Sequence, residues 1–233
     1  MLWHKTVGEG QDLVLLHGWA FNSDIFQSLV DMYSTYYRVT VIDLPGHGRS
    51  SDINGNIDSW SDEIIKLIPE QSILVGWSLG GLLSIRIANK ISLKKLILIA
   101  ASPCLVSKDN WNYGIKNEVF DQFVLNLKND STKALMRFVS LQSKKKSQVQ
   151  ELHKAIQRFP ASRSALKYGL NIILDSDLQD EYKKITIPKT VILGSLDSLI
   201  PISIKNWYEK NGTQIYELHC GHLPFLDETF KLP

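Results

Sequence analysis

Ile73-Leu74-Val75-Gly76-Trp77-Ser78-Leu79-Gly80-Gly81 is the stretch on which the reading of this chain turns. A short apolar, β-branched run ends at Gly76, and from Leu79 to Lys90 the composition is that of a helix. Between them lies Gly76-Trp77-Ser78-Leu79-Gly80, the G-x-S-x-G pattern in a strand-to-helix context. So sharp a turn forces the serine into a strained backbone, and glycines two positions to either side leave room that larger side chains would fill. The Ser78 hydroxyl is lifted clear of the sheet, with a helix N-terminus behind it that favours developing negative charge. Taken alone, the pattern also fits a glycine-rich turn with a spectator serine.

Working outward, five more runs of the same kind appear. Asp12 to Leu16 stops at His17-Gly18, Arg38 to Asp43 at Leu44-Pro45-Gly46, and Lys95 to Ala101 at Ser102-Pro103. Lys189 to Leu193 stops at Gly194, and Gln214 to Leu218 near Cys220-Gly221. Short apolar runs bounded by turn residues suit strands buried on both faces, and the stretches between them are long enough for crossover helices. The expected fold class is therefore α/β, with a mostly parallel sheet whose ligands bind beyond the carboxyl ends of the strands. Between the fourth and fifth runs the pattern changes to helical spacing. Val119, Phe120, Phe123, Val124 and Leu127 follow it, as do Leu135, Phe138, Val139 and Leu141. The spacing predicts a helical lid over 111–180, inserted into a core formed by 1–110 and 181–233.

A serine hydroxyl is a poor nucleophile near neutral pH unless a histidine takes its proton and a carboxylate orients that histidine. Asp197 follows the fifth run and His222 the sixth, so the chain order is serine, aspartate, histidine, each beyond a strand end. Three such placements together are hard to attribute to coincidence. His17-Gly18-Trp19-Ala20 follows the first run, and the backbone N–H groups of Trp19 and Leu79 are the expected oxyanion hole. His17 itself reads as a structural histidine. His219 falls at the strand end rather than in the loop beyond it, His47 shapes a turn, and Asp43 ties loops together. No His/Cys/carboxylate cluster has metal-ligand spacing, and no G-x-G-x-x-G follows the first run, so neither a metal nor another cofactor is expected.

LLHGW, VIDLPGHGRS, GWSLGG, GSLDSLIP and GHLPF resemble the α/β-hydrolase superfamily along essentially the whole chain. Trp19, Trp77, Ser102-Pro103-Cys104, Trp111, Gly114-Ile115-Lys116 and Arg137-Phe138 resemble more closely the esterases that act on pimeloyl-[acyl-carrier protein] methyl ester in biotin synthesis. The resemblance implies Ser78 as nucleophile, Asp197 as acid, His222 as base, and an acyl carrier protein as the partner that presents the ester. It implies an acyl pocket under the lid, here past Trp19, Leu82, Phe123 and Phe138. It also implies carrier docking on basic lid residues. Lys133 and Arg137, and likewise Lys154 and Arg158, are spaced i, i+4 and share a helix face. Where members of that family carry arginine, lysine stands at 133 and 154, which keeps the charge and loses bidentate geometry. Related hydrolases close with a further helix. Only Leu223 to Pro233 follow His222 here, so either the protein ends early or the sequence is a truncated one.

Composition bounds what else the chain does. It has 233 residues, 26 Lys+Arg and 24 Asp+Glu, and a formal charge of +2, which speaks against general affinity for nucleic acid or membranes. That average hides an asymmetry. Residues 128–167 hold ten Lys/Arg and two acids, a local +8 that leaves −6 for the remainder. Lys144 to Lys146 read as a solvated helix face, whereas the two spaced pairs read as a docking face for an acidic protein. With no secretory signal and only Cys104 and Cys220, the expectation is a cytoplasmic monomer with reduced thiols. Two other functions fit the same residues: an esterase, lactonase or C–C hydrolase for small substrates, or a binding module with little turnover.

Overall fold

The computed structural model of the protein describes residues 1–143 and 145–233. In chain order the elements are β1 (His4–Val7), β2 (Gln11–Leu16), α1 (Gln27–Tyr33), β3 (Tyr37–Ile42) and α2 (Ile57–Ile65). Next come β4 (Ile73–Trp77), α3 (Leu79–Ala88) and β5 (Lys95–Ile99). Five helices follow: α4 (Asn117–Asn129), α5 (Ser131–Ser140), α6 (Lys146–Arg158), α7 (Arg163–Asp175) and α8 (Gln179–Lys184). The chain returns to the sheet with β6 (Lys189–Gly194), α9 (Lys205–Lys210) and β7 (Gln214–Leu218).

The seven strands form one sheet in the order β1-β3-β2-β4-β5-β6-β7. Every pairing is parallel except that of β1 with β3. The six apolar runs became β2 to β7. β1 was not foreseen, because His4-Lys5-Thr6-Val7 is a mostly exposed edge strand without a buried apolar face to mark it.

Alternation along the central strands builds the core on both sides. Val14 and Leu16 join one apolar cluster and Leu13 and Leu15 the other; Leu74 and Val75, and Leu96 and Ile97, divide in the same way. Trp60 and Ile64 of α2 and Leu82, Leu83 and Ile87 of α3 cover the first face. Leu29 and Val30 of α1, with Phe225 and Phe230, cover the second. This two-sided burial is why the sequence shows unbroken apolar runs rather than polar alternation.

The helical insertion, α4 to α8, leaves the sheet after β5 and re-enters at β6. It begins not with a helix but with a looped segment closed by isolated bridges between Val106 and Ile115 and between Lys108 and Trp111. Its last helix runs past 180 to Lys184. Lys144 lies outside the described residues; Lys145 and Lys146 are exposed at the start of α6.

Candidate active site

Ser78 occupies the turn between β4 and α3 with φ +54° and ψ −118°, a conformation that non-glycine residues adopt only under constraint. The constraint is visible. Its N–H donates to the Ile99 carbonyl at 3.0 Å, and its carbonyl accepts from Gly81 and Leu82 in the first turn of α3. A Cβ at Gly76 would lie 2.4 Å from Ser84 Oγ, and one at Gly80 would lie 2.2 Å from the Leu16 carbonyl oxygen. The flanking glycines are therefore required by close packing of strand, helix and neighbouring strand.

His222 Nδ1 lies 2.7 Å from Asp197 Oδ2, and both side chains are about 1% exposed. A carboxylate only accepts, so this bond places the ring proton on Nδ1 and leaves Nε2 with its lone pair. Asp197 is itself fixed, its Oδ1 accepting from the backbone N–H groups of Leu199 at 2.8 Å and Ile200 at 3.1 Å. The aspartate and histidine loops are laced by Leu196 N–H to the Cys220 carbonyl, 2.9 Å. Trp77 ties the serine turn to the same unit by donating from Nε1 to the His222 carbonyl at 2.8 Å. His222 Nε2 is buried and has no hydrogen-bond partner among the described residues. It shares the wall of one cavity with Ser78. An unpaired buried acceptor costs about 1–3 kcal/mol, and its presence beside a strained serine fits a group kept ready to take a proton.

The candidate oxyanion donors are next to the serine. Leu79 is the first residue of α3, so its N–H has no intrahelical acceptor, and no backbone acceptor is found for Trp19 N–H among the described residues. Ala20, directly after Trp19, has φ +66°, a second strained position in the site.

Trp19, Phe123 and Phe138 line the same cavity, and the Trp19 ring meets the two phenylalanines edge-on at 5.6 and 5.1 Å. Leu82 does not line it. On the buried face of α3 it is fully enclosed in the cluster with Val14 and Leu16, so its role is packing beneath the site rather than contact with an acyl chain. The sequence reading also missed lining residues, among them Phe120, Leu105, Leu170 and Ile200. Phe120 was legible, standing i−3 from Phe123 on the same face of α4; the others come from separate loops and helices that only the fold brings together.

The remaining histidines have other places. His17 is buried, with Nδ1 donating to the Gly18 carbonyl and Nε2 accepting from Leu44 N–H, the structural role expected of it. Asp43 is buried and accepts from Ser23 and Arg49, knitting the loops after β2 and β3. His219 is exposed and meets Ser195 Oγ at 3.2 Å, away from Asp197. His47 is fully buried; burial, and next the nearby His17 ring, push its pKa down to about 3. Burial lowers His17 as well. Unfolded histidines bind a proton near pH ~6.5 while these folded ones resist it, so their contribution to stability is complete above that pH and is lost as the pH falls toward the folded values. The unfolding temperature is expected to be level from about pH 8 to 7 and to drop steadily below about pH 6. A melting temperature that holds level down to about pH 4 would contradict this.

On the insertion, Lys133 and Arg137 are exposed on α5, and Lys154 and Arg158 on α6. None of the four makes an ion pair among the described residues, whereas the cations outside the insertion include several that do, such as Arg38 with Asp12 and Lys90 with Asp58 and Asp62.

A strained serine on a strand-to-helix turn, with a buried aspartate–histidine pair beyond later strands, is the arrangement of one fold family, and comparison with known proteins agrees. The model of the Alpha/beta hydrolase family matches residues 13–231. The chain belongs to the alpha/beta hydrolase family. A relative named pimeloyl-[acyl-carrier protein] methyl ester esterase, from Aliivibrio salmonicida, is 34% identical, covering 98% of this chain and 91% of its own. One of the same name from Nitrosomonas europaea is 35% identical over 95% of this chain and 92% of its own. Among solved structures, an esterase from Exiguobacterium antarcticum superposes with TM-score 0.89 at 24% identity, covering 97% of this chain and 90% of that one. An enol-lactonase from Burkholderia xenovorans gives 0.81 at 18% identity, covering 97% and 90%. At such identities these two structures speak for the fold alone.

Proposed function

We propose that this alpha/beta hydrolase is a serine carboxylesterase that removes the methyl ester from pimeloyl-[acyl-carrier protein], releasing methanol and the free ω-carboxylate. The hydrolytic part rests on the Asp197–His222 bond of 2.7 Å and on His222 Nε2, which has no partner among the described residues, in a cavity that Ser78 also lines. Ser78 Oγ attacks the ester carbonyl as its proton passes to His222 Nε2, and the N–H groups of Trp19 and Leu79 receive the oxyanion. His222 then protonates the departing methoxide, and the same nitrogen activates water to cleave the acyl-enzyme.

Choice of substrate rests on the near full-length relatives of that name and on a mainly apolar cavity under a basic insertion. An aliphatic chain fits walls formed by Trp19, Phe123, Phe138 and Leu170. An acidic carrier fits Lys133, Arg137, Lys154 and Arg158, which are exposed and make no ion pair among the described residues. The test compares the carrier-bound methyl ester with free monomethyl pimelate under identical conditions. Carrier-bound ester is expected to give kcat/KM at least about 100-fold higher at low salt, with the advantage shrinking as salt screens the docking. Equal kcat/KM for the two at every salt concentration would point instead to a general esterase.

A further inference from the structure

The insertion touches the candidate oxyanion hole at one point with unusual closeness. Gly169 lies in the middle of α7 and is buried. A Cβ there would lie 2.7 Å from Trp19 Cδ1, 3.1 Å from Trp19 Nε1 and 3.5 Å from Leu79 Cδ2. The two residues it meets are the two whose backbone N–H groups are the candidate oxyanion donors. One helical turn earlier, the buried Leu166 carbonyl accepts a hydrogen bond from Trp19 Nε1 at 3.0 Å. Phe123 of α4 and Phe138 of α5 close on the same indole. Three helices of the insertion thus grip one side chain of the core.

That grip has a physical consequence. The backbone beside Trp19 is strained, with φ +66° at Ala20, and such a conformation persists only where its surroundings enforce it. Glycine in a helix interior costs about 1 kcal/mol relative to alanine, so its presence mid-helix calls for a packing reason, and the 2.7 Å approach supplies one.

We infer that Gly169 is a positioning residue for ester hydrolysis: by letting α7 close on the Trp19 indole and Leu79, it sets the two N–H groups that receive the oxyanion. The insertion is then part of the catalytic geometry as well as a cover. This rests on the serine-esterase reading above. Because oxyanion donors act through preorganised position, a shift near 1 Å is enough to lose most of their effect.

The test uses p-nitrophenyl butyrate, a soluble short ester that needs no carrier. Gly169→Ala is expected to lower kcat about 10- to 100-fold while KM changes by less than about threefold. In a Trp19→Ala background the added methyl has room, so Gly169→Ala should there change kcat by less than about twofold. Trp19→Phe adds no volume and removes the bond to Leu166; it should lower kcat about fivefold or more, which keeps the inference testable if Gly169→Ala folds poorly. An unchanged kcat in both Gly169→Ala and Trp19→Phe, a rise in KM alone, or an equal loss in the Trp19→Ala background would overturn it. Ser78→Ala separates the two readings. If that variant still turns over the ester, the serine-esterase reading falls and this inference with it; if turnover is lost, the other results judge Gly169 alone.

Discussion

Ser78→Ala is expected to lower kcat toward any ester by about 10⁶-fold and to leave the fold intact. The serine is part-exposed on the cavity wall, and its side chain makes no hydrogen bond among the described residues that the fold would lose. Its strained φ of +54° is enforced by the backbone on either side, not by the hydroxyl. Asp197→Asn should be nearly as severe, about 10⁴-fold. Asparagine keeps the shape but offers His222 Nδ1 no anion, and where its amide NH₂ faces the ring it forces the proton onto Nε2, the atom that has to accept. Loss of activity in both variants with unchanged melting temperatures is the expected pattern, read by steady-state kinetics beside thermal unfolding. Residual turnover within about tenfold of wild type in Ser78→Ala would remove the nucleophile from the account.

The second large effect concerns substrate choice. Reversing Lys133 and Arg137 on α5 together, and Lys154 and Arg158 on α6 together, replaces four attractive charges by four repulsive ones. On the carrier-bound ester, kcat/KM should fall by about 10²- to 10³-fold at low salt, chiefly through slower association, and the loss should shrink as ionic strength rises. On a short soluble ester the same protein should work at the wild-type rate. All four side chains are exposed and lack ion-pair partners among the described residues, so the core has little reason to respond. Equal losses on both esters would mean the reversal had damaged the helices of the insertion instead.

How far these results could be anticipated differs from one part of the molecule to another. Two-sided burial writes itself into sequence as unbroken apolar runs, so β2 to β6 were readable, as were the positions of Ser78, Asp197 and His222 beyond strand ends; β7 is a mostly exposed edge strand, marked only by Ile215, Tyr216 and Leu218. β1 was not readable, because a short polar edge strand satisfies its hydrogen bonds from one side and needs no apolar face. Leu82 shows a different limit. It stands one helical turn after the serine, which suggests the pocket, but α3 directs that face into the sheet, and only packing reveals it. For the close fit of Gly169 to Trp19, 150 residues apart in the chain, the local signal is only a glycine inside a helical stretch, which does not name its partner. Periodicity places a residue on a helix face; it does not say which distant loop that face will meet.

The most direct measurement follows the carrier-bound methyl ester by intact-protein mass spectrometry in water enriched with heavy oxygen. Predicted is loss of the methyl group with one heavy oxygen in the new carboxylate, unlabelled methanol as co-product, and no reaction with Ser78→Ala. A carrier whose methyl ester survives while a short ester is hydrolysed in the same tube would contradict the account, as would heavy oxygen appearing in the methanol.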